Sequence, residues 1–286
     1  MNMAKLFKQK EARKYDDYIK SSQSLQKGNA YKLLGYISKF VVFKNVKVWL
    51  DVGCGTGLMG EILKTHLKDS FAIGIDLSKE FLSIAAQKNI YDKLICCDIL
   101  DTKKIKGALK EFKVDLIVSN SCLHWTYSKI NIAIKNCVDI LAEKGFCAFS
   151  IAGTGTAPEF LNCYKKVVNK FLKAEEKKKY ATFIVNPYGL LNPAQLNLDE
   201  LPVKIIKIEK EDEDVKFKSA EDYINAAECF QKKYLLGIFP NKNKKEDVWK
   251  ELTKLFLKKV GNHGYYHQQK MIYFVVQKQE TKSKRP

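Results

Sequence analysis

The sequence lacks the features that define several classes of protein. It contains no run of 18 apolar residues, and because a helix needs about 20 mostly apolar residues to cross a bilayer, no membrane span is predicted. The opening MNMAKLFKQKEARKYDDY lacks the apolar stretch of a secretory signal, so none is expected. With 6 prolines and 15 glycines among 286 residues, a collagen-like or low-complexity chain is excluded.

The cysteines show no pattern of a disulfide framework or of a zinc site. All eight lie scattered along the chain without a CxxC pair, which is typical of a long chain in a reducing compartment. We therefore expect a cytoplasmic protein. His263 and His267 are the two histidines closest in sequence, but no cysteine or carboxylate cluster joins them, so no metal site is predicted.

Arginine is scarce although the chain is strongly basic. Lys+Arg number 50 against 32 Asp+Glu, a net charge of +18, yet only Arg13 and Arg285 are arginines. Because arginine is suited to bidentate contacts with phosphate and guanine, specific nucleic-acid recognition is not expected. The net charge is +8 (11 basic, 3 acidic) in residues 1–50, +1 (13, 12) in 51–155 and +9 (26, 17) in 156–286. Either the basic ends attract an acidic partner, or the lysines form a solvated surface.

Between residues 45 and 155, five apolar runs alternate with helix-like segments. The runs read VKVWLDVG, FAIGIDLS, KLICCDIL, VDLIVSNS and GFCAFSIA. Near-continuous apolar strands that alternate with helices indicate a parallel sheet covered by helices on both faces. Ser78 is a candidate N-cap for the helix after the second run, and Gly145 is a candidate C-cap for the helix before the fifth.

The remaining segments are predicted to flank this sheet. Helices are expected at residues 4–20, 25–40, 158–180, 219–236 and 245–260, a strand and a possible hairpin in VKIIKIEK and DVKF, and a last strand in MIYFVVQK. We expect one domain over residues 1–280. It comprises an N-terminal helical lid (1–44), a cofactor-binding core (45–155) and a substrate-side half (156–280) with a helical insertion at about 218–268, followed by a disordered tail (281–286).

The sequence LDVGCGTG, at residues 50–57, carries the strongest chemical signal. Gly53, Gly55 and Gly57 follow a buried strand and open a helix, with Cys54 between the first two. Small residues at such a turn let the backbone wrap a ligand without clashes from Cβ atoms. The turn therefore predicts a ligand held against the backbone.

Two aspartates indicate which ligand to expect. Asp76, followed by Leu77, ends the next apolar run, where a carboxylate can accept hydrogen bonds from both hydroxyls of a ribose. Asp51 lies inside the glycine turn. An acid there would repel the pyrophosphate of a dinucleotide but attract the ammonium and sulfonium of S-adenosylmethionine. The pattern D-x-G-x-G-x-G therefore favours S-adenosylmethionine as the cofactor.

These motifs resemble those of class I S-adenosylmethionine-dependent methyltransferases over residues 45–155. The resemblance implies an α/β, doubly wound, Rossmann-like fold, with a seven-stranded, mostly parallel sheet whose last strand is antiparallel, N-terminal helices and a helical cap insertion. It also implies that Asp98 binds the adenine amine while Ile99 stacks nearby, and that Asp51 serves the methionine end through backbone and water. A helix cap is the alternative role for Asp98.

The fourth run ends in SNSCLHW, which in this superfamily faces the transferred methyl group. The N-P-P-[YF] motif of amino-methylating nucleic-acid enzymes and the Pro-Cys motif of cytosine C5 methylation are absent. Asn120, His124 and Trp125 instead resemble the pattern of small-acid and carboxyl methyltransferases. Under this resemblance Asn120 belongs to the cofactor site, and His124 orients a carboxylate or acts as a base, unless it only packs in the pocket.

The N-terminal segment FKQKEARKYDDYIKSSQSLQKGNAYKLL resembles the opening of malonyl-acyl carrier protein O-methyltransferases. In that family the segment folds over the cofactor, which implies that Tyr15 and Gln26 approach the substrate together with His124 and Trp125. The matching positions are Phe7, Tyr15, Asp16, Leu25, Gln26, Leu33 and Leu34. His124–Trp125 replaces the usual Gln-Trp of the family.

The leading hypothesis is a methyltransferase that esterifies the free carboxylate of malonyl-acyl carrier protein, an acidic partner, in biotin precursor synthesis. A carboxylate is ionised at pH 7, so proximity and desolvation can supply most of the acceleration without a base. The alternatives are methylation of a free small organic acid or other small molecule, methylation of RNA, and a non-catalytic assembly factor with the same fold.

Overall fold

The computed structural model describes residues 9–21, 24–261 and 263–280. Phe7, the predicted helix start at residues 4–8 and the predicted tail at 281–286 lie outside the described residues.

The structure is built on one seven-stranded sheet with strand order β3-β2-β1-β4-β5-β7-β6. The first five strands pair in parallel, and β7 pairs antiparallel with both β5 and β6. This topology confirms the predicted α/β, mostly parallel sheet with an antiparallel last strand. The strands are β1 (Val48–Val52), β2 (Phe71–Asp76), β3 (Lys93–Cys96), β4 (Val114–Asn120), β5 (Leu141–Ala152), β6 (Val203–Phe217) and β7 (Tyr265–Lys278).

Helices cover both faces of the sheet. The N-terminal pair is α1 (Gln9–Lys20) and α2 (Leu25–Phe40). The others are α3 (Leu58–Lys64), α4 (Lys79–Gln87), α5 (Thr102–Leu109), α6 (Ile130–Ile140), α7 (Pro158–Phe171), α8 (Ala174–Lys179), α9 (Ala181–Val185), α10 (Ala220–Phe230), α11 (Lys232–Leu235) and α12 (Lys242–Val260). Ser78 caps α4 as expected, because its Oγ accepts a hydrogen bond from Phe81 N at 3.2 Å.

Three details differ from the sequence expectation. The strand and possible hairpin at VKIIKIEK and DVKF are one continuous strand, β6, because the acidic residues between them alternate along a solvent-exposed edge and pair with β7. Gly145 does not cap α6, which ends at Ile140; it lies within β5, where a Cβ atom would approach Ala142 O to 2.9 Å. The helices expected at 158–180 and 219–236 are each divided in two, the first into α7 and α8 and the second into α10 and α11.

The core forms on both faces of the sheet and beneath the C-terminal helices. One buried cluster includes Leu50, Ile73 and Phe149, and another lies on the opposite face around Trp49 and Leu116. A third cluster joins α7 to the helices between β6 and β7. In it, the Phe160 ring packs edge-on against the rings of Tyr223, Trp249 and Phe256. None of the helices in the described ranges is long and apolar enough to cross a membrane.

Helix α1 is held across the carboxyl ends of the strands by contacts with α4. The ring of Tyr15 stacks on Phe81 with centroids 5.1 Å apart. The next residue of α1, Asp16, has its carboxylate 2.9 Å from the ammonium of Lys88, which directly follows α4, and the two side chains are only 8% and 12% exposed. A shielded ion pair of this kind is screened by solvent much less than a surface pair. These contacts fix α1 over the region where the glycine turn lies.

Candidate functional site

A cavity of about 830 Å³ opens at the carboxyl ends of the parallel strands. In open α/β sheets this is the edge at which ligands bind. The cavity is bounded by the ends of β1, β2 and β4, by the N-terminal helices, and by residues of α9, α11 and β7. Of the predicted site residues, those that line it are Tyr15, Gln26, Gly53, Asp76, Leu77, Asp98, Ile99, His124 and Trp125.

The glycine turn is folded tightly against β2 and β4. Gly53, Gly55 and Gly57 have φ angles of 71°, 56° and 98°, values that residues with a Cβ atom rarely adopt. The amides of Gly53 and Cys54 both donate to Ile75 O, at 2.8 and 3.0 Å. A Cβ atom on Gly53 would lie 2.0 Å from the Sγ atom of Cys122. The turn therefore requires glycine for its backbone angles and, at Gly53, also for the close approach of Cys122, which follows β4.

Asp76 links the turn to the cavity. Its Oδ2 atom accepts from Gly55 N at 2.9 Å, and its Oδ1 atom accepts from Ser78 N at 2.8 Å. Burial raises the pKa of this carboxyl, although the backbone hydrogen bonds oppose the shift. Because a carboxylate oxygen has two lone pairs, both oxygens keep one acceptor site for a ligand.

Asp98 and Ile99 form a neighbouring part of the wall. Asp98 Oδ1 accepts from Leu100 N at 2.9 Å, and Ile99 O accepts from Asn136 Nδ2 at 2.8 Å. The helix-cap alternative for Asp98 is wrong, because α5 begins at Thr102 and its N-cap is Asp101, whose Oδ1 atom accepts from Lys104 N at 3.1 Å.

Asp51 lies behind the turn instead of on the cavity wall. It is 1% exposed, and its Oδ2 atom accepts from the Tyr91 hydroxyl at 2.7 Å. Burial raises the pKa of Asp51 to about 7, against the lowering effect of the Tyr91 hydrogen bond. Cys54, Gly55 and Gly57 also do not line the cavity.

Asn120 does not line the cavity either; it connects the end of β4 to the start of α2. Its Nδ2 atom donates to Gln26 O at 2.9 Å, and its Oδ1 atom accepts from the Ser150 hydroxyl at 2.7 Å. Gln26 itself lines the cavity, and its Oε1 atom is buried without a hydrogen-bond partner among the described residues. Asn120 thus positions Gln26.

His124 and Trp125 lie side by side where β4 leads into the cavity. The two ring centroids are 4.9 Å apart, and the Trp125 ring packs edge-on against Tyr234 at 4.4 Å. His124 is 5% exposed, and its Nδ1 atom lies 3.4 Å from the amide nitrogen of Ala152. Burial lowers the pKa of His124 to about 3. The imidazole is therefore neutral at pH 7 and is a weak base.

Residues 50–147 match the protein family described as "Methyltransferase domain". They span the glycine turn, Asp76, Asp98 and the end of β4. Residues 50–147 therefore form a methyltransferase domain. Its cofactor is S-adenosylmethionine, and the residues fit this group. Gly53 and Asp76 can hold a nucleoside at the turn, and Asp98 and Ile99 lie on the neighbouring part of the wall.

Curated relatives of this methyltransferase include malonyl-[acyl-carrier protein] O-methyltransferases. The protein of that name from Priestia megaterium is 28% identical over 203 residues, which cover 70% of this chain and 70% of the relative. The one from Bacillus anthracis is 24% identical over 166 residues, covering 57% and 55%. A release factor glutamine methyltransferase from Fusobacterium nucleatum is 32% identical, but over 71 residues that cover 25% of this chain and 20% of the relative.

Solved structures show the same fold at low sequence identity. A SAM-dependent methyltransferase from Anabaena variabilis superimposes with a TM-score of 0.54 at 14% identity, covering 98% of this chain and 96% of that chain. A putative methyltransferase from Bacillus halodurans gives 0.51 at 12% identity, covering 88% and 100%.

The methyltransferase has a further part of the cavity that was not predicted from the sequence. We call it the C-terminal chamber, because its lining residues lie between residues 180 and 269; the Trp125 ring packs edge-on against two of them, Tyr188 and Tyr234. It is lined by Tyr180, Phe183, Tyr188, Gln231, Tyr234, His267 and Gln269. The alternation in YYHQQKM was the available signal, because His267, Gln269 and Met271 share one face of β7 and all three line the cavity.

Proposed function

We propose that this methyltransferase transfers the methyl group of S-adenosylmethionine to the free carboxylate of malonyl-acyl carrier protein, a reaction of biotin precursor synthesis. We place the reaction in the cytoplasm, which is supported by eight free cysteines.

The weak basicity of the cavity histidines carries the choice of acceptor. His124 and His267 both line the cavity, and burial lowers the pKa of each to about 3. Methylation of an alcohol or phenol needs a group that removes a proton, and a base works best with a pKa near the working pH. A carboxylate is already ionised at pH 7 and needs no such base. The cavity therefore favours a carboxylate over a hydroxyl acceptor.

The relatives and the size of the cavity support the same acceptor. Two curated proteins named malonyl-[acyl-carrier protein] O-methyltransferase match 70% and 57% of this chain, at 28% and 24% identity respectively. The cavity of about 830 Å³ extends past Trp125 into the C-terminal chamber. A single chain thus offers a cofactor half and a separate chamber for a second reactant.

The chain's own residues would bring the reactants together and exclude water. Asp76 would hold the ribose and Asp98 the adenine, while Tyr15 and Gln26 close the N-terminal side. The sulfonium supplies an electrophilic methyl group, and its carbon–sulfur bond breaks as the carboxylate oxygen attacks in line. Alignment and desolvation can contribute about 7–11 kcal/mol to such a reaction. No proton moves in this step, so His124 has no required role as a base.

Mass spectrometry of loaded carrier proteins tests the proposal. We expect malonyl-carrier protein to gain the mass of one methylene group when S-adenosylmethionine is present. Acetyl- and 3-hydroxybutyryl-carrier protein are matched controls, since one lacks a nucleophilic oxygen and the other offers only a hydroxyl. Methylation of the hydroxyacyl carrier, or none of the malonyl carrier, would contradict the proposal, and methylation of free malonate alone would favour a small organic acid.

A further inference from the structure

The wall that β7 contributes to the C-terminal chamber contains two polar side chains in an otherwise apolar face. His267 and Gln269 both line the cavity, and they are 1% and 5% exposed. They are two residues apart on a strand, so they project to the same side. Gln268, between them, points to the opposite, exposed face.

His267 is buried without a hydrogen-bond partner at its Nδ1 atom among the described residues. Its ring stacks on Tyr223 with centroids 5.0 Å apart and planes at 25°, and Phe217 packs edge-on at 6.3 Å. These contacts hold the ring in place but satisfy no polar atom. A buried polar atom left unpaired costs free energy, so native structures usually supply a partner. A bound ligand can supply it here.

Gln269 presents a second polar group beside His267. Its side-chain amide makes no hydrogen bond to another residue in the ranges that the structure describes. Met271, next on the same face, pairs in register with Ala152 at the end of β5. In the strand order, β4 lies between β1, which the glycine turn follows, and the pair β5 and β7. The polar wall on β7 and the glycine turn therefore lie on opposite sides of the end of β4.

Positive charge is scarce around the cavity. Among the described residues that line it, Lys179 is the one with a cationic side chain, and this lysine is exposed at the end of α8 with its ammonium 5.3 Å from the Tyr180 ring centroid. Asp76 and Asp98 lie at the other end of the cavity. A carboxylate inside the chamber would therefore be held by uncharged donors, which leave its oxygens more nucleophilic than a guanidinium would.

We propose that His267 and Gln269 form the binding site for the acceptor's carboxylate, with the imidazole N–H and the amide NH₂ as hydrogen-bond donors. This inference rests on the proposed function, because it takes the acceptor to be an acid. It goes further by naming the residues that select the acid.

Binding of a small carboxylate thioester to variants tests the site. The probe is malonyl-N-acetylcysteamine, titrated by calorimetry into the S-adenosylhomocysteine-loaded protein, and its methyl ester is the uncharged matched probe. We expect His267→Phe and Gln269→Leu each to weaken binding of the acid by about tenfold or more. Gln268→Leu, the same change on the exposed face of the strand, should leave the affinity as in the wild type.

The affinities for the methyl ester and for S-adenosylhomocysteine serve as controls, because a general structural defect would weaken binding of both. The two variants should lose much less affinity for the methyl ester than for the acid, because an ester carbonyl is a weaker acceptor than a carboxylate. All four proteins should bind S-adenosylhomocysteine equally. Equal losses for acid and ester, wild-type affinity in both variants, or no binding of the acid by the wild type would overturn the site. If the acid binds as expected but malonyl-carrier protein is not methylated, the carboxylate site stands and the proposed function fails.

Discussion

At the scale of single residues, the two aspartates of the cofactor motif have different surroundings. Asp76 ends β2 and faces the cavity, with each oxygen already bonded to one backbone amide. Asp51, in β1, does not line the cavity, and its carboxylate accepts a hydrogen bond from the Tyr91 hydroxyl. The sequence predicted the position of Asp76, because strand ends meet at one edge of a parallel sheet. It did not reveal that Asp51 lies behind the turn, since that depends on Tyr91 from a distant loop.

Replacing Asp76 should weaken cofactor binding. Asp76→Ala removes both acceptor oxygens, and we expect a loss of about 1.5–3 kcal/mol in the affinity for S-adenosylhomocysteine, measured by calorimetry. Asp69→Ala is the control, because Asp69 is exposed and lies just before the opposite end of β2. If the Asp76 variant folds and binds the ligand as tightly as the Asp69 variant, Asp76 does not hold the ribose.

Burial of Asp51 should make the cofactor-free protein less stable as the pH rises. Its pKa is raised from about 3.8 to about 7, so between these values the native state binds a proton that the unfolded state has lost. This contribution to the free energy of unfolding is full below pH 4 and falls by up to about 1.4 kcal/mol per pH unit until about pH 7.

Asp51→Asn isolates this effect, because the amide keeps an oxygen for Tyr91 and cannot ionise. Urea denaturation from pH 4 to pH 8 should show the variant gaining stability relative to the wild type up to about pH 7, and no further change above it. Taking the difference between the two proteins cancels the titration of the buried histidines. A difference that does not vary with pH would show that Asp51 is not buried in its protonated form.

At the scale of secondary-structure elements, local sequence pattern predicted the first half of the chain well. The alternating runs gave β1 to β5 and the helices between them, and Ser78 caps α4 as expected. The C-terminal half was predicted less well because its elements depend on distant partners. Strand β6 continues through its acidic stretch only because β7 pairs along its whole length.

The C-terminal chamber shows the same limit. Trp125 packs against Tyr234, and Tyr188 donates from its hydroxyl to Gln231 Oε1 at 2.6 Å. These residues come from separate segments that meet only in the folded protein. Periodicity identifies each helix or strand but not which of their faces meet, so the alternation in YYHQQKM alone could not predict the chamber.

At the scale of the whole molecule, the net charge of +18 is divided between the two ends of the chain, and the cofactor-binding middle is nearly neutral. The ends supply α1 and α2 on one side of the cavity, and α9, α11 and β7 on the other. Some of their lysines are already paired with carboxylates, such as Lys32 with Glu211 and Glu213 at 2.8 Å. The lining of the cavity itself has one cationic side chain among the described residues, Lys179. Under the proposed function, an acidic carrier would therefore be attracted by lysines outside the cavity.

Transfer of a labelled methyl group tests the central claim most directly. The protein is incubated with S-adenosylmethionine labelled in its methyl group and with malonyl-carrier protein, and the carrier is then treated with mild alkali. The account predicts that the label appears on the carrier and is released as methanol, because a methyl ester hydrolyses under these conditions. No label on the carrier, or label that stays on it through alkali, would contradict carboxyl methylation.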